Sequence, residues 1–92
     1  MSLFKKKKDL VVVEQPVVND KMIEREFEFK DFVANIAFVN TIGAIAEEEG
    51  HHPDLLIYSW NRLKITLWTH AIDGLSINDF IVASKIDNKV VD

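Results

Sequence analysis

Two segments of the chain, Met22–Phe29 and Arg62–Thr69, alternate between apolar and polar residues and constrain the fold more than any other feature. Side chains of a β-strand point alternately to the two faces of a sheet, so a period of two predicts strands with one buried face. The second segment is the cleaner one, because in the first Arg25 falls among the apolar positions. The sequence therefore predicts a sheet that is covered on one side.

Two weaker patterns predict the remaining strands. The β-branched run Leu10–Val13 predicts a first strand at an edge of the sheet. Leu55–Trp60 predicts a third strand, with Asn61 as the turn into the cleanest strand. Strands joined by short turns pair antiparallel, so the sheet should be antiparallel.

Two segments have the apolar spacing of helices. Asp31–Glu49 predicts the first helix, and Gly50 is suited to end it because glycine adopts the left-handed conformation without strain. A second helix is predicted from Ser76 to about Asp87. Ser76 and Asp79 have the spacing of a capping box, in which side chains bond the free N–H groups at the start of a helix.

The predicted order is strand, strand, helix, strand, strand, helix. This order defines an α+β domain of two layers, in which a four-stranded antiparallel sheet carries both helices on one face. We expect this single domain to span residues 10–92. It should follow a charged and flexible segment at residues 1–9, which contains the run Lys5–Lys8.

The length of the chain makes association with other copies an expectation. A chain of 92 residues forms one core, and so small a core gains stability from oligomerisation. Val33 and Ala37 extend the apolar arc of the first helix beyond what one sheet covers. Thorough burial of the helix and a contact between copies explain this arc equally well. We expect a homodimer or a homotetramer.

Composition argues against several classes of function. The absence of cysteine excludes a disulfide framework, a thiolate metal site and a cysteine nucleophile. The formal net charge of −4 argues against nucleic-acid binding, which needs a basic face. No apolar run approaches the roughly 20 residues of a membrane span, so we expect a cytoplasmic protein without a membrane partner.

All three histidines lie beside predicted loops: His51 and His52 follow the first helix, and His70 follows the cleanest strand. Because imidazole titrates near neutral pH, clustered histidines can supply an acid and a base together. Adjacent histidines at a helix end can equally be plain exposed polar residues. A metal site that includes Glu47 is a weaker alternative, since the spacing of a helical metal-binding motif is missing.

The spacing of these residues resembles the signature of the pterin-4a-carbinolamine dehydratase family. The matching positions follow one another at the family's intervals: Glu47, His51, His52, Pro53, Trp60, His70 and Asp79. Flanking segments are also similar, among them Phe27–Phe32 and Gly74–Ser76. The resemblance extends over about residues 22–87, most of the chain.

The resemblance implies the family's fold, an antiparallel sheet with helices on one face, and the family's reaction. That reaction converts 4a-hydroxytetrahydropterin to quinonoid dihydropterin. The 4a-hydroxyl gains a proton and leaves as water, and a ring nitrogen loses a proton as the C=N bond forms. The resemblance implies no metal and no bound cofactor, because the pterin is itself the substrate. The product is recycled to the pterin that aromatic amino-acid hydroxylases use.

The resemblance also implies roles for individual residues. The family's catalytic histidines correspond to His51, His52 and His70. The positions that match its substrate contacts are Glu47, Gly50, Pro53, Trp68, Thr69 and Asp79. Simpler roles stay open for some of them: Glu47 as an ordinary exposed residue, Asp79 as a helix cap, and Trp60 and Trp68 as packing groups.

Within the histidine set we expect His52 and His70 to transfer protons, and His51, nearest the helix, to orient the pterin. Gly50 replaces the polar side chain that many relatives have before the pair, and no tryptophan precedes Trp60; both departures predict weaker pterin binding.

The alternative function is a non-catalytic protein-binding module. The family also includes a dimerisation cofactor of a homeodomain transcription factor and assembly factors for other enzymes, so an aromatic amino-acid hydroxylase or a transcription factor is a candidate partner. Retention of all three histidines favours the enzyme.

Overall fold

The computed structural model describes residues 9–90, and within them the chain forms five strands, two helices and one 3₁₀ turn at His70–Ile72. The strands are β1 (Leu10–Val13), β2 (Val17–Val18), β3 (Ile23–Phe29), β4 (Asp54–Tyr58) and β5 (Arg62–Leu67). The helices are α1 (Phe32–Glu49) and α2 (Ile77–Val90). The segment predicted at residues 1–9 lies, except for Asp9, outside the described residues.

The sheet is antiparallel throughout and has the order β1-β3-β5-β4, with β2 also pairing with β3. The predicted α+β fold is confirmed, but the described sheet has five strands rather than the predicted four, because Val17 and Val18 form a separate short strand after Pro16. Val17 and Val18 return to β3 opposite Glu24 and Ile23. Pro16 lies in the interruption, where its missing N–H costs the sheet no bond.

Both helices cover the same face of the sheet. One apolar cluster contains buried residues of β3, β5, α1 and α2, and its fully buried members include Phe27, Ile42, Leu63 and Val82. Arg25 also lies on this face, with its guanidinium 5.2 Å from the centroid of the Phe27 ring and paired with a carboxylate of α2. The cluster and this ion pair therefore hold α2 against the sheet.

The turn between β4 and β5 differs from the prediction. Asn61 lies in the turn as predicted, but the turn already begins at Ser59, and Ser59 and Trp60 adopt positive φ angles of 47° and 50°. Neither is a glycine or an asparagine, the residues that signal such turns. The fully buried Asn35 of α1 holds the turn by donating from Nδ2 to the carbonyls of Trp60 and Arg62, at 3.1 and 3.0 Å. Trp60 is 63% exposed, so its expected packing role is wrong within a single chain.

Helix α1 follows the prediction at both ends but not on its outer face. Asp31 caps its start by accepting from the N–H of Ala34 at 2.8 Å, and Gly50 ends it with a φ of 63°. The outer face, where Val33, Ile36, Ala37 and Ala44 lie together with Asn40, is exposed. Thorough burial therefore does not explain the wide apolar arc. Within residues 9–90, neither helix is long and apolar enough to cross a membrane.

Candidate active site

The three histidines lie at one end of the sheet. β4 and β5 are antiparallel, and Asp54 at the start of β4 pairs with Thr66 near the end of β5. The segment before β4, which contains His51 and His52, therefore lies beside the segment after β5, which contains His70. The fold thus brings together two segments that are far apart in the sequence.

The end of α1 sets the direction of the first segment. The N–H groups of Gly50 and His51 both donate to the carbonyl of Ala46, and Gly50 occupies the left-handed region that favours glycine. Pro53 then leads into Asp54 at the start of β4. Gly50 and Pro53 therefore shape the backbone on either side of the histidine pair.

A buried carboxylate holds His51. Its Nε2 lies 2.6 Å from Oδ1 of Asp79, and the two side chains are 15% and 0% exposed. Asp79 is in the first turn of α2, and its Oδ2 accepts from Oγ1 of Thr69 at 2.7 Å and from the N–H of Ser76 at 2.9 Å. The carboxylate thus has a hydrogen bond on each oxygen.

These bonds keep Asp79 ionised. Burial by itself would raise the pKa of Asp79, but the hydrogen bonds from His51, the Ser76 N–H and Thr69 outweigh it and hold the pKa below its ordinary value. An ionised carboxylate only accepts hydrogen bonds, so Nε2 of His51 must carry a proton. Nδ1 of His51 is then the nitrogen that remains for proton transfer in the neutral ring.

His52 has a carboxylate partner of a different kind. Its Nε2 lies 2.5 Å from Oε2 of Glu47 on the last turns of α1, and the side chains are 60% and 79% exposed. Water therefore reaches both members of the pair. The alternative of Glu47 as an ordinary exposed residue is half right, since the side chain is exposed but bonded.

The His70 loop is tied to the same carboxylate as His51. Thr69 and Gly74 exchange two backbone hydrogen bonds, at 2.8 and 3.3 Å, which close a loop that contains the exposed His70. The imidazole centroid lies 4.0 Å from the centroid of the half-buried Trp68 ring. Since Thr69 also donates to Asp79, one carboxylate links the two histidine segments.

The fold agrees with what comparison with known proteins finds. A family model described as pterin 4 alpha carbinolamine dehydratase matches residues 10–89. The chain belongs to this family.

Named relatives of the dehydratase family are similar over most of the chain. A protein of Alkaliphilus metalliredigens, whose name assigns it to the pterin-4-alpha-carbinolamine dehydratases, is 54% identical over 83% of this chain. The mitochondrial pterin-4-alpha-carbinolamine dehydratase 2 of Arabidopsis thaliana is 47% identical over 80%. The chain spans 68% of the first relative's length and 40% of the second's.

Solved structures of the dehydratase family share the fold. A transcriptional coactivator/pterin dehydratase from Brucella melitensis has a TM-score of 0.72 and 33% identity, covering 83% of this chain and 80% of its own. A pterin dehydratase-like RuBisCO assembly factor of the alpha-carboxysome has a TM-score of 0.63 and 21% identity, covering 80% and 84%. At that identity the second likeness concerns the fold alone.

The structure connects most of the residues that the family signature predicted. His51, Thr69 and Asp79 form one hydrogen-bonded group, Glu47 bonds His52, and Trp68 contacts His70. Their roles toward a pterin stay predictions, as does the convergence of all three rings on one pocket. Among residues 9–90, no three histidine, aspartate or glutamate side chains are grouped as a metal ion would need.

One polar residue matters to the site and was not predicted to. Ser76 was expected only to begin α2, but its hydroxyl lies 2.7 Å from that of Thr69. Asn35, which holds the turn at the opposite end of β4 and β5, gave no signal either, since a single asparagine in a helical pattern is typical of an exposed residue. Asp79 has the helix-cap role left open for it, because it caps α2 at the Ser76 N–H, and it also holds His51, while its contact with a substrate stays a prediction.

Proposed function

We propose that this protein dehydrates 4a-hydroxytetrahydropterin to quinonoid dihydropterin by histidine acid–base catalysis. The observation that carries the proposal is the group His51–Asp79–Thr69, which ties both histidine segments to one buried carboxylate. Membership of the dehydratase family supports the choice of substrate. Neither a metal nor a bound cofactor is part of the proposal, because imidazole can serve both proton transfers.

The reaction needs two proton transfers of opposite direction. An acid protonates the 4a-hydroxyl, which leaves as water when the C–O bond breaks, and a base takes the proton of the neighbouring ring nitrogen as the C=N bond forms. We propose His51 and His70 for these transfers. A ring fixed by a buried carboxylate keeps its orientation and its tautomer, which suits proton transfer better than the positioning role expected from sequence.

The remaining signature residues fit roles in binding. His52 and Glu47 are exposed and free to adjust to a substrate, so we propose that they contact the pterin. Trp68 is proposed to contact it as well, because its ring adjoins His70. Gly50 and Pro53 would act through the backbone only. Thr69 and Asp79 are hydrogen-bonded to one another. This bond favours a role in holding His51 over direct contact with the pterin.

A dehydration assay with chemically generated 4a-hydroxytetrahydropterin tests the proposal. The protein should accelerate formation of quinonoid dihydropterin over the buffer rate, and the double variant His51→Ala/His70→Ala should return it to that rate. Each single variant should lose about 10²- to 10⁴-fold, the usual contribution of a general acid or base. A wild-type protein at the buffer rate would exclude the dehydratase and leave the protein-binding module.

We also propose that copies of the chain associate through the outer face of α1. Val33 is 76% exposed there and Ile36 36%, and an apolar arc wider than one sheet covers favours a second contact. A specific contact should bury more than about 1,000 Å² in total. Sedimentation should show a dimer or tetramer. Val33→Glu should dissociate this oligomer, whereas Ser84→Glu, a matched substitution on the exposed side of α2, should not. A wild-type monomer at micromolar concentration would refute the proposal.

The partners and the location of the protein are also proposals. The Brucella protein is described as both a transcriptional coactivator and a pterin dehydratase, which supports a transcription factor as a second kind of partner beside a hydroxylase. We propose a cytoplasmic location; the Arabidopsis relative is named as mitochondrial. Cell fractionation with an antibody against the chain would test the location.

A further inference from the structure

The start of α2 departs from an ordinary capping box. In such a box the serine hydroxyl accepts from the N–H three residues later, and the side chain there reaches back to the serine N–H. Asp79 makes the second of these bonds, at 2.9 Å. Its own N–H, however, donates to the carbonyl of Ser76 at 3.1 Å, and Oγ of Ser76 lies 2.7 Å from Oγ1 of Thr69. The serine hydroxyl is therefore bonded toward the site.

Counting protons gives this set of hydrogen bonds a direction. Ionised Asp79 can only accept, so Thr69 must donate its one hydroxyl proton to Oδ2. Thr69 then has no proton left for the 2.7 Å contact with Ser76, so the Ser76 hydroxyl must donate to Thr69. The order of donation is Ser76 to Thr69 to Asp79, and hydrogen bonds in such a chain strengthen one another.

We infer that Thr69 and Ser76 are positioning residues, whose hydroxyls form a directed relay that keeps the Asp79 carboxylate aimed at His51. Thr69 lies between Ser76 and Asp79 in this relay. It also directly precedes His70, and its backbone is fixed by the bridge to Gly74. The relay therefore sets the place of the His51 ring relative to the His70 loop. This role replaces the substrate contact that the family signature suggested for Thr69.

The relay can be observed in the free protein without any substrate. The proton on Nε2 of His51 donates to a fully buried carboxylate, so in protein labelled with ¹⁵N-histidine it should give a downfield signal with slow solvent exchange. Thr69→Val keeps the shape of the side chain and removes the hydroxyl. This variant, and Ser76→Ala to a smaller degree, should shift the signal or speed its exchange.

Two matched variants separate positioning from a structural effect. Thr69→Ser retains the hydroxyl and should restore the wild-type signal, and Ser84→Ala removes an exposed hydroxyl elsewhere on α2 and should leave it unchanged. If Thr69→Val does not fold, Ser76→Ala with Ser76→Thr as its rescue decides the matter. A wild-type His51 signal in folded Thr69→Val or Ser76→Ala would overturn the inference.

The kinetic consequence rests on the proposed dehydratase function. Thr69→Val should lower kcat about tenfold with little change in KM, less than the roughly 10²-fold that a misplacement of about 1 Å can cost. A raised KM with unchanged kcat would instead make Thr69 a substrate contact and overturn the inference. If the wild-type protein shows no dehydration at all, the proposed function fails, and the His51 signal still decides the positioning role.

Discussion

The two histidine–carboxylate pairs at the end of α1 contain the same chemical groups in opposite surroundings. His51 and Asp79 are 15% and 0% exposed, whereas the adjacent His52 and its partner Glu47 are 60% and 79% exposed. The first carboxylate comes from another helix and has further donors on its second oxygen. The second comes from α1, the helix that directly precedes the histidine pair. Adjacent histidines can therefore be prepared for different tasks by the carboxylates that reach them.

The difference lies in what each pair loses when it is broken. Removal of Asp79 leaves donors without an acceptor in the interior, which costs the desolvation of each group. Removal of Glu47 leaves His52 with water as its partner, because water already reaches both side chains. Exposed pairs of this kind contribute little to the free energy of unfolding. We therefore expect every perturbation of the buried pair to exceed the matched perturbation of the exposed pair.

The largest difference should appear in turnover. His51→Ala should lower kcat by about 10²- to 10⁴-fold, because it removes the ring whose orientation the structure fixes. His52→Ala should mainly raise KM. Steady-state kinetics of the two variants in the dehydration assay checks this. A collapsed kcat in His52→Ala, with only KM affected in His51→Ala, would restore the division of roles that the sequence suggested.

Stability should show the next largest difference. Asp79→Ala should reduce the free energy of unfolding by at least about 3 kcal/mol, since three groups, His51, Thr69 and the Ser76 N–H, lose their acceptor and each unsatisfied buried group costs about 1–3 kcal/mol. Glu47→Ala should change it by no more than about 0.5 kcal/mol, as surface substitutions do. Urea denaturation with an unchanged slope measures both. Equal losses would mean that burial does not distinguish the pairs.

The sequence predicted the sheet and the helices because their signals are local. The alternation in β3 and β5 and the glycine at the end of α1 describe neighbouring residues, and each was confirmed. The return of Val17 and Val18 to β3 was missed, because two valines after a proline carry no strand signal of their own. The turn was predicted at Asn61, but its start at Ser59 and Trp60 was missed because the turn is held from outside by Asn35.

The same reasoning explains what was missed in the candidate site. The capping-box spacing correctly connected Ser76 with Asp79, which are three residues apart. The bond between Asp79 and His51 joins residues 28 apart and depends on where the core places α2, so spacing could not reveal it. Only the resemblance to a known family marked both residues, and it did not indicate that they touch.

Acid should weaken the protein through the buried carboxylate. The pKa of Asp79 lies below its ordinary value of 3.8 in the folded state, so its contribution to stability is fully present above that value and is lost as the pH falls through the lowered pKa. Asp79→Asn cannot titrate. The stability difference between wild type and Asp79→Asn, measured by urea denaturation from neutral pH downward, should shrink below about pH 4. Ser84→Ala should lose stability with pH as the wild type does. A stability difference between wild type and Asp79→Asn that stays constant with pH would show that the pKa of Asp79 is not lowered in the folded state.

The smallest expected effect is the coupling between Glu47 and His52, the exposed pair. Its dependence on salt distinguishes this pair from the buried pair of Asp79 and His51. A double-mutant cycle with Glu47→Ala and His52→Ala should give a coupling free energy for pterin binding of no more than about 0.5 kcal/mol. It should vanish near 1 M salt, where the screening length falls to about 3 Å. The corresponding cycle with Asp79→Ala and His51→Ala, scored by stability, should give a larger coupling that salt changes little, because water does not reach that carboxylate. A salt-resistant coupling above about 1 kcal/mol for Glu47 and His52 would mean that the pair becomes enclosed when a pterin binds, and the contrast between the two pairs would then hold for the free protein alone.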